Sequence, residues 1–90
     1  MYPLRGFRMA LTEYNYFETT HFIRRCKERS ISLTNVKAAI ESRENRKFQQ
    51  KGRHGGRNYR IQHPIKGGHL VVVAEIRKHD CWLISAFFKD

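Results

Sequence analysis

Three residues in the first third of the chain combine a proton-transfer group with cationic side chains. His21, Arg25 and Arg29 are four residues apart, so a helix places them along one stripe of its surface. An imidazole exchanges a proton near neutral pH, and a guanidinium stabilises negative charge on a phosphate under attack. Such groups suit metal-free RNA cleavage, in which a 2′-hydroxyl attacks the adjacent phosphate. The alternatives are a helix-start histidine and arginines that face solvent or pair with Glu28 and Glu41.

Two other residues have both a structural and a functional interpretation. Ser85 interrupts the apolar segment 83–87, either as a small core hydroxyl or as a ligand for a phosphate oxygen on an exposed sheet face. Tyr59 either packs in the core or stacks on a base. The five histidines share no spacing typical of a metal site, and no P-loop, dinucleotide or Ser-His-Asp signature occurs. We therefore predict no metal and no cofactor.

The chain is strongly basic, with 18 Lys and Arg against 8 Asp and Glu and a net charge of +10. Seven of these cations fall within residues 43–60, beside three glycines and a single acid, Glu44. The excess favours a polyanion as partner, because binding phosphates releases counterions. Anionic lipid and a merely solvated surface are the alternatives. The residues predicted to bind RNA are Arg29, Lys47, Lys51, Arg53, His54, Arg57, Tyr59 and Arg60.

Length and apolar content bound the class of protein. Ninety residues fit one domain. The longest aliphatic run, residues 70–74, is far too short to span a membrane, and the N-terminus lacks the apolar stretch of a signal peptide. We expect free thiols at Cys26 and Cys81, with a disulfide left open, and a cytoplasmic protein without membrane contact. A toxin domain cut from a larger secreted parent is the alternative.

Periodicity and turn signals predict the order of elements. Residues 1–18 are too apolar for a disordered tail and are predicted to form an arm or short helix. Helices follow over 21–29, started by Thr19 and Thr20, and over 33–42, started by Ser32. Strands are predicted over 46–50, 57–62, 69–77 and 81–88, with Pro64 and Gly67-Gly68 ending the second. The fold class is therefore α+β: residues 19–90 form one domain, with two N-terminal helices packed on one face of a four-stranded antiparallel sheet.

A family resemblance emerges from residues 21–32 and from motifs that follow in order. The segment reads His21-Phe22-Ile23-Arg24-Arg25-Cys26-Lys27-Glu28-Arg29-Ser30-Ile31-Ser32. It resembles the motif His-Ala-x-x-Arg-x-x-x-Arg-Gly-Ile-Ser, which opens the bacterial family called domain of unknown function 4258. The later matches are Thr34-Asn35-Val36, Ala39-Ile40, Gly56-Arg57-Asn58-Tyr59, Val71-Val72-Val73 and Ile84-Ser85. The similarity covers about residues 20–88.

This resemblance implies a RelE/barnase-like fold, because the family is similar to the RelE, ParE, barnase, EndoU and colicin-type ribonuclease superfamily. It implies an endoribonuclease toxin that is inhibited by an antitoxin or immunity protein, which we expect to be acidic. The RNA target stays open between free RNA, tRNA and ribosome-bound mRNA. By position, the catalytic residues are His21, Arg25 and Ser85. Ser30 stands where the family has Gly, which makes a left-handed helix end costlier. Phe22 replaces Ala, and Ser85 replaces Thr while keeping the hydroxyl.

Two other functions stay open at this point. A non-catalytic nucleic-acid-binding module requires only the basic hairpin and would bind with steep salt dependence. A toxin that binds a protein target, as gyrase poisons do, would share the fold without cleaving RNA.

Overall fold

Two helices and one five-stranded sheet make up residues 14–90, the part of the chain that this computed structural model describes. The elements are β1 (Asn15–Glu18), α1 (Thr20–Arg29), α2 (Leu33–Glu41), β2 (Arg46–Lys51), β3 (Arg57–Ile65), β4 (Gly68–Arg77) and β5 (Asp80–Lys89). The strand order across the sheet is β1-β5-β4-β3-β2. β1 runs parallel to β5, and the other neighbouring strands are antiparallel.

The α+β class is as predicted, but the four-stranded antiparallel sheet is wrong because β1 adds a fifth, parallel strand. Tyr16 pairs with Cys81 and Phe17 with Trp82. Four residues are too few to show a strand period, and their partner strand is about 65 residues away along the chain. The predicted arm or short helix over 1–18 is therefore a strand over its last four residues. Residues 1–13 lie outside the described part.

The predicted end of the second strand at Pro64 is wrong, since β3 continues to Ile65, but the strand does end at a turn that contains Gly67. β2 pairs with β3 only as far as Ile61, whereas β4 pairs with it along its whole length. Beyond Gln62, β3 thus has one strand neighbour, and Pro64 occupies a position where an edge strand tolerates a missing N–H.

The hydrophobic core lies between the two helices and one face of the sheet. The helices contribute Phe22, Val36, Ala39 and Ile40, and the two central strands contribute Leu70, Val72, Ala74, Cys81 and Leu83. Tyr59 is partly buried, packs against this core and makes an edge contact with the Phe48 ring at 6.2 Å, and its predicted part in RNA binding stays a prediction. Both cysteines are free thiols, and burial raises the pKa of Cys81 to about 12.

The opposite face of the sheet, the open face, presents the alternate residues of each strand, among them Glu75, Val73 and Trp82. Neither of the two helices within residues 14–90 packs there. No helix in this range is long and apolar enough to cross a membrane.

The ends of α1 follow from its sequence. Thr19 caps the N-terminus as predicted, since its hydroxyl accepts a hydrogen bond from the Phe22 N–H at 3.1 Å. At the other end Ser30 adopts a left-handed conformation with φ of 54°, and its N–H points to the carbonyls of Cys26 and Lys27. A side chain in this conformation costs roughly 1–2 kcal/mol, a penalty that glycine avoids.

Ser30→Gly is therefore expected to stabilise the protein by about 1 kcal/mol and to raise Tm by about 4–8 °C. Thermal unfolding followed by circular dichroism measures the shift. Ser32→Gly is the matched control, because Ser32 has an ordinary φ of −77° and makes no side-chain capping bond. The control should be neutral or slightly destabilising, and an equal rise in both variants would contradict the explanation.

Candidate active site

A cleft of about 710 Å³ opens on the sheet between the start of α1 and the β2–β3 hairpin. Five of its residues form one row across all five strands, each in register with the next: Phe17, Trp82, Glu75, Asn58 and Gln50. The other lining residues are Glu18, Thr19, His21, Lys51, Gly52, Arg53, His54 and Ile84. We call this the histidine cleft, because it brings together two histidines that are 33 residues apart in sequence.

Glu75 is a buried acid at the bottom of the histidine cleft, with 1% of its surface exposed. Its carboxylate accepts hydrogen bonds from the backbone N–H of Gly56 at 2.8 Å and of His54 at 2.9 Å. The Nδ1 atom of His54 lies 3.0 Å from the other carboxylate oxygen. A buried charge is costly unless it is hydrogen-bonded in this way, so these contacts explain how the strand accommodates an acid.

The loop over residues 52–56 wraps this carboxylate, and its glycines make the close approach possible. A Cβ added at Gly52 would overlap the Glu75 carboxylate. One added at Gly56 would come within 2.6 Å of the Ile76 carbonyl oxygen. The loop is closed on itself by the Gly52 N–H, which donates to the Gly56 carbonyl at 2.9 Å. The glycine cluster therefore places His54 against Glu75.

The His54 ring is held on a second side by stacking. It lies parallel to the Trp82 indole with ring centroids 4.3 Å apart, and Trp82 in turn stacks on Phe17 at 5.4 Å. An ionised carboxylate only accepts hydrogen bonds, so Nδ1 carries the hydrogen that faces Glu75. The Nε2 atom is then the nitrogen that can accept a proton, an arrangement used by general bases.

The electrostatics of Glu75 fit this role. Burial raises the pKa of its carboxyl, but the hydrogen bonds from the His54 ring and from the Gly56 and His54 backbone outweigh burial, and the net pKa is lowered. The carboxylate is therefore ionised at neutral pH and faces the imidazole as an anion.

The rest of the histidine cleft supplies cations and an amide. His21 lies in the first turn of α1, whose N-terminal end borders the cleft and favours anions. On the other side, Lys51 precedes the loop over residues 52–56 and Arg53 lies within it. Asn58 lies beside Glu75, and its buried Oδ1 has no hydrogen-bond partner among residues 14–90.

The predicted site residues divide between two clefts and other positions. His21, Lys51, Arg53 and His54 line the histidine cleft. A second cleft of about 520 Å³, the cationic cleft, is lined by Asn45, Arg46, Lys47, Arg60, Gln62 and His69. It therefore includes two further predicted RNA-binding residues, Lys47 and Arg60.

The remaining predicted residues line neither cleft. Arg25 pairs with Glu28 at 3.0 Å on the exposed side of α1, and Arg29 donates to the Ala86 carbonyl at 3.0 Å. Ser85 lies in β5 opposite Val73, one residue beyond Ile84. The roles predicted for these three residues stay predictions.

Arg57 contacts an aromatic ring, and Tyr59 packs against the core. The Arg57 guanidinium lies 5.4 Å from the Phe48 ring centroid, and Tyr59 packs on the helix side of the sheet.

Glu75, Trp82 and Asn58 were missed as site residues by sequence reasoning. Glu75 carried a usable signal, because a single acid within the otherwise apolar segment 70–76 is unusual unless it is partnered. Trp82 was assigned to a strand apolar on both faces, and only the register shows that it lies beside Glu75. Nothing in the spacing indicated Asn58.

A family model described as "Domain of unknown function (DUF4258)" matches residues 19–88, more than three quarters of the chain. No curated protein and no solved structure gives a significant match. The matched segment contains both helices, strands β2 to β4 and nearly all of β5.

Proposed function

This chain belongs to the DUF4258 family, and we propose that it is a metal-independent endoribonuclease that cleaves RNA by 2′-hydroxyl attack. The observation that carries the proposal is the His54–Glu75 pair, in a cleft that also holds His21. One histidine oriented by a carboxylate and a second in the same cleft are the groups that such a reaction needs.

The reaction has a proton acceptor and a proton donor. The Nε2 atom of His54 takes the proton from the 2′-hydroxyl as its oxygen bonds to phosphorus. The bond between phosphorus and the 5′-oxygen breaks, and His21 gives a proton to that leaving oxygen. The products are a 2′,3′-cyclic phosphate and a 5′-hydroxyl, so that one proton is taken up and one is released.

Glu75 acts as the positioning residue for His54. It fixes the ring so that Nε2 is the reactive nitrogen, and it stabilises the positive imidazolium that forms when the proton arrives. A carboxylate hydrogen-bonded by two backbone N–H groups cannot turn away without losing them.

We assign stabilisation of the charge on the transition state to Lys51 and Arg53 rather than to Arg25. Lys51 and Arg53 line the histidine cleft, whereas Arg25 is paired with Glu28 outside it. Cations near the developing charge stabilise it most when they are already in place.

The aromatic rings favour a single-stranded substrate. Phe17 is 45% exposed at the edge of the cleft and stacks on Trp82, which offers a platform for an unpaired base. We further propose that the protein is a toxin inhibited by an acidic antitoxin or immunity protein, whose charge would complement the net +10 of this chain.

Cleavage of a labelled single-stranded RNA by the purified protein in excess chelator tests the function. We expect fragments that end in a 2′,3′-cyclic phosphate and no cleavage at a position where a 2′-deoxynucleotide replaces the ribonucleotide. RNA that is bound but left intact would favour a non-catalytic binding module. Growth inhibition with a DNA-damage response and intact RNA would favour a toxin with a protein target.

A further inference from the structure

The cationic cleft lies beside the histidine cleft on the same sheet. Arg60 is two positions beyond Asn58 on β3, so the two side chains share the open face about 7 Å apart. On the neighbouring strand β4, Val73 lies opposite Arg60 and Glu75 lies opposite Asn58, so these two residues also share the open face. A ligand in the histidine cleft therefore reaches the cationic cleft within one strand repeat.

Among residues 14–90, the cations that this cleft presents on the open face are uncompensated. They are Lys47 and Arg60, and no carboxylate of this range lines the cleft. Arg46 also lines it, but its guanidinium turns to the helix side of the sheet, where Arg46 is in register with Ile61. Lys47 and Arg60 are in register across β2 and β3, where like charges directly opposite each other destabilise a sheet. Neither forms an ion pair with any residue from 14 to 90.

Other contacts hold the cleft in shape. The Arg46 guanidinium donates to the Ile40 carbonyl at 2.6 Å, and the Arg60 guanidinium lies 5.4 Å from the Phe87 ring centroid. The Nδ1 atom of His69 is buried without a hydrogen-bond partner in the described part of the chain. A concave, cationic surface with an unsatisfied ring nitrogen concentrates positive potential and fits an anion with several acceptor oxygens.

We propose that the cationic cleft is a phosphate subsite, which binds the backbone phosphate next to the scissile one in an extended single-stranded RNA. The inference rests on the proposed function for the identity of the strand. The distance of about 7 Å between neighbouring same-face positions on β3 is of the order of the spacing of consecutive phosphates in an extended strand. Lys47 and Arg60 are the residues that contact the phosphate.

The test uses oligonucleotides of 2′-O-methyl RNA, which lack the attacking hydroxyl and so remain uncut. Affinity is measured against salt for lengths of two to six nucleotides. For the longer oligonucleotides, Lys47→Ala with Arg60→Gln should reduce the slope of log Kd against log salt by about 0.7, the value for one phosphate, and Lys47→Ala alone should reduce it by part of that amount. The dinucleotide, with its single phosphate, should be bound alike by all variants.

The matched control is Arg24→Ala with Lys27→Ala, which removes two charges from α1 at positions that line neither cleft. Its salt slope should equal that of the wild type. Equal slopes in the Lys47 variants and the wild type, or an equal reduction in the control, would overturn the subsite. The Lys47 single variant covers the case in which loss of the Arg60 contact with Phe87 unfolds the double variant.

Two further arms separate the possible failures. If the wild type leaves RNA uncut but the slopes change as expected, the proposed function fails and the subsite stands. If the wild type cleaves RNA but the variants leave the slopes unchanged, the proposed function stands and the subsite fails. If the Lys47 variants lose the binding to phosphatidylserine vesicles that the wild type shows, but keep oligonucleotide binding intact, the cleft binds a lipid headgroup and the proposal is overturned.

Discussion

His54→Ala is expected to lower the rate of RNA cleavage by about 10²–10⁴-fold, the range of a general acid or base. The substitution removes the proton acceptor at Nε2 and leaves the cationic residues Lys51 and Arg53 in place. His21→Ala should cause a loss of similar size, because the leaving oxygen then departs without a proton. The measurement is the single-turnover rate with a short RNA, on variants whose circular dichroism matches the wild type.

The two histidines can be told apart by a change of substrate. A ribonucleotide ester with a nitrophenolate leaving group needs no proton donor, so His21→Ala should cleave it nearly as fast as the wild type, while His54→Ala should remain slow.

His79→Ala is the control for these variants. His79 lies exposed in the β4–β5 turn and is not among the residues that line the cleft, and its backbone carbonyl accepts from Asn15 without involving the ring. The rate of this variant should equal the wild-type rate. If His54→Ala cleaves RNA at the wild-type rate, the assignment of the base is wrong.

The core elements of the fold were predictable because each carries a local signal. Helices α1 and α2 show an apolar stripe between capping residues, and β4 and β5 are apolar on both faces as expected of central strands. β1 has no such signal. Its four residues become a strand only because Tyr16 and Phe17 meet β5 across a long separation in sequence. A parallel edge strand of this length is specified by tertiary contacts.

The candidate site was predictable in its cations and histidines but not in their arrangement. His21 was singled out by its position at a helix start, and His54 was expected to bind RNA in the basic hairpin. That Glu75 orients His54 depends on the register of β3 and β4 and on a glycine loop folded back over the strand. Arg25 illustrates the limit in the other direction: helical spacing aligned it with His21, but Glu28 on the same helix pairs with it outside the cleft.

Glu75→Gln is expected to destabilise the folded state by about 3 kcal/mol at neutral pH and to reduce cleavage by about 10²–10⁴-fold. The substituted amide keeps the shape of the side chain, and its oxygen can still accept from the Gly56 and His54 backbone N–H groups, which both donate to one carboxylate oxygen. Its NH₂ group then replaces the oxygen that faces Nδ1 of His54, so the fold loses the hydrogen bonds to a charged acceptor and the ring loses the acceptor that holds the hydrogen on Nδ1. Urea unfolding measures the stability, and a protein with an ordinary stability of about 5–15 kcal/mol remains folded for the cleavage assay.

The lowered pKa of Glu75 determines how its contribution to stability changes with pH. The pKa of Glu75 is lowered in the folded state from its ordinary value of 4.5, so the unfolded chain binds more protons in the window between the two values. The stability that Glu75 contributes is complete above pH 4.5 and is lost as the pH falls through the lowered pKa. The difference in unfolding free energy between wild type and Glu75→Gln should therefore be constant at neutral pH and shrink below about pH 4.5.

Two measurements separate a positioning role from a purely structural one. Glu28→Gln removes an acid of the same type from an exposed ion pair, and it should cost less than about 1 kcal/mol with unchanged cleavage. In Glu75→Gln, assayed well below its Tm, kcat should fall while KM stays close to the wild-type value, because Lys51 and Arg53 still bind the phosphates. A rise in KM with unchanged kcat would mean that Glu75 shapes the RNA-binding surface and does not orient His54. Because the Glu75 carboxylate contacts His54 through both the ring and the backbone, we expect the loss to appear in the chemical step.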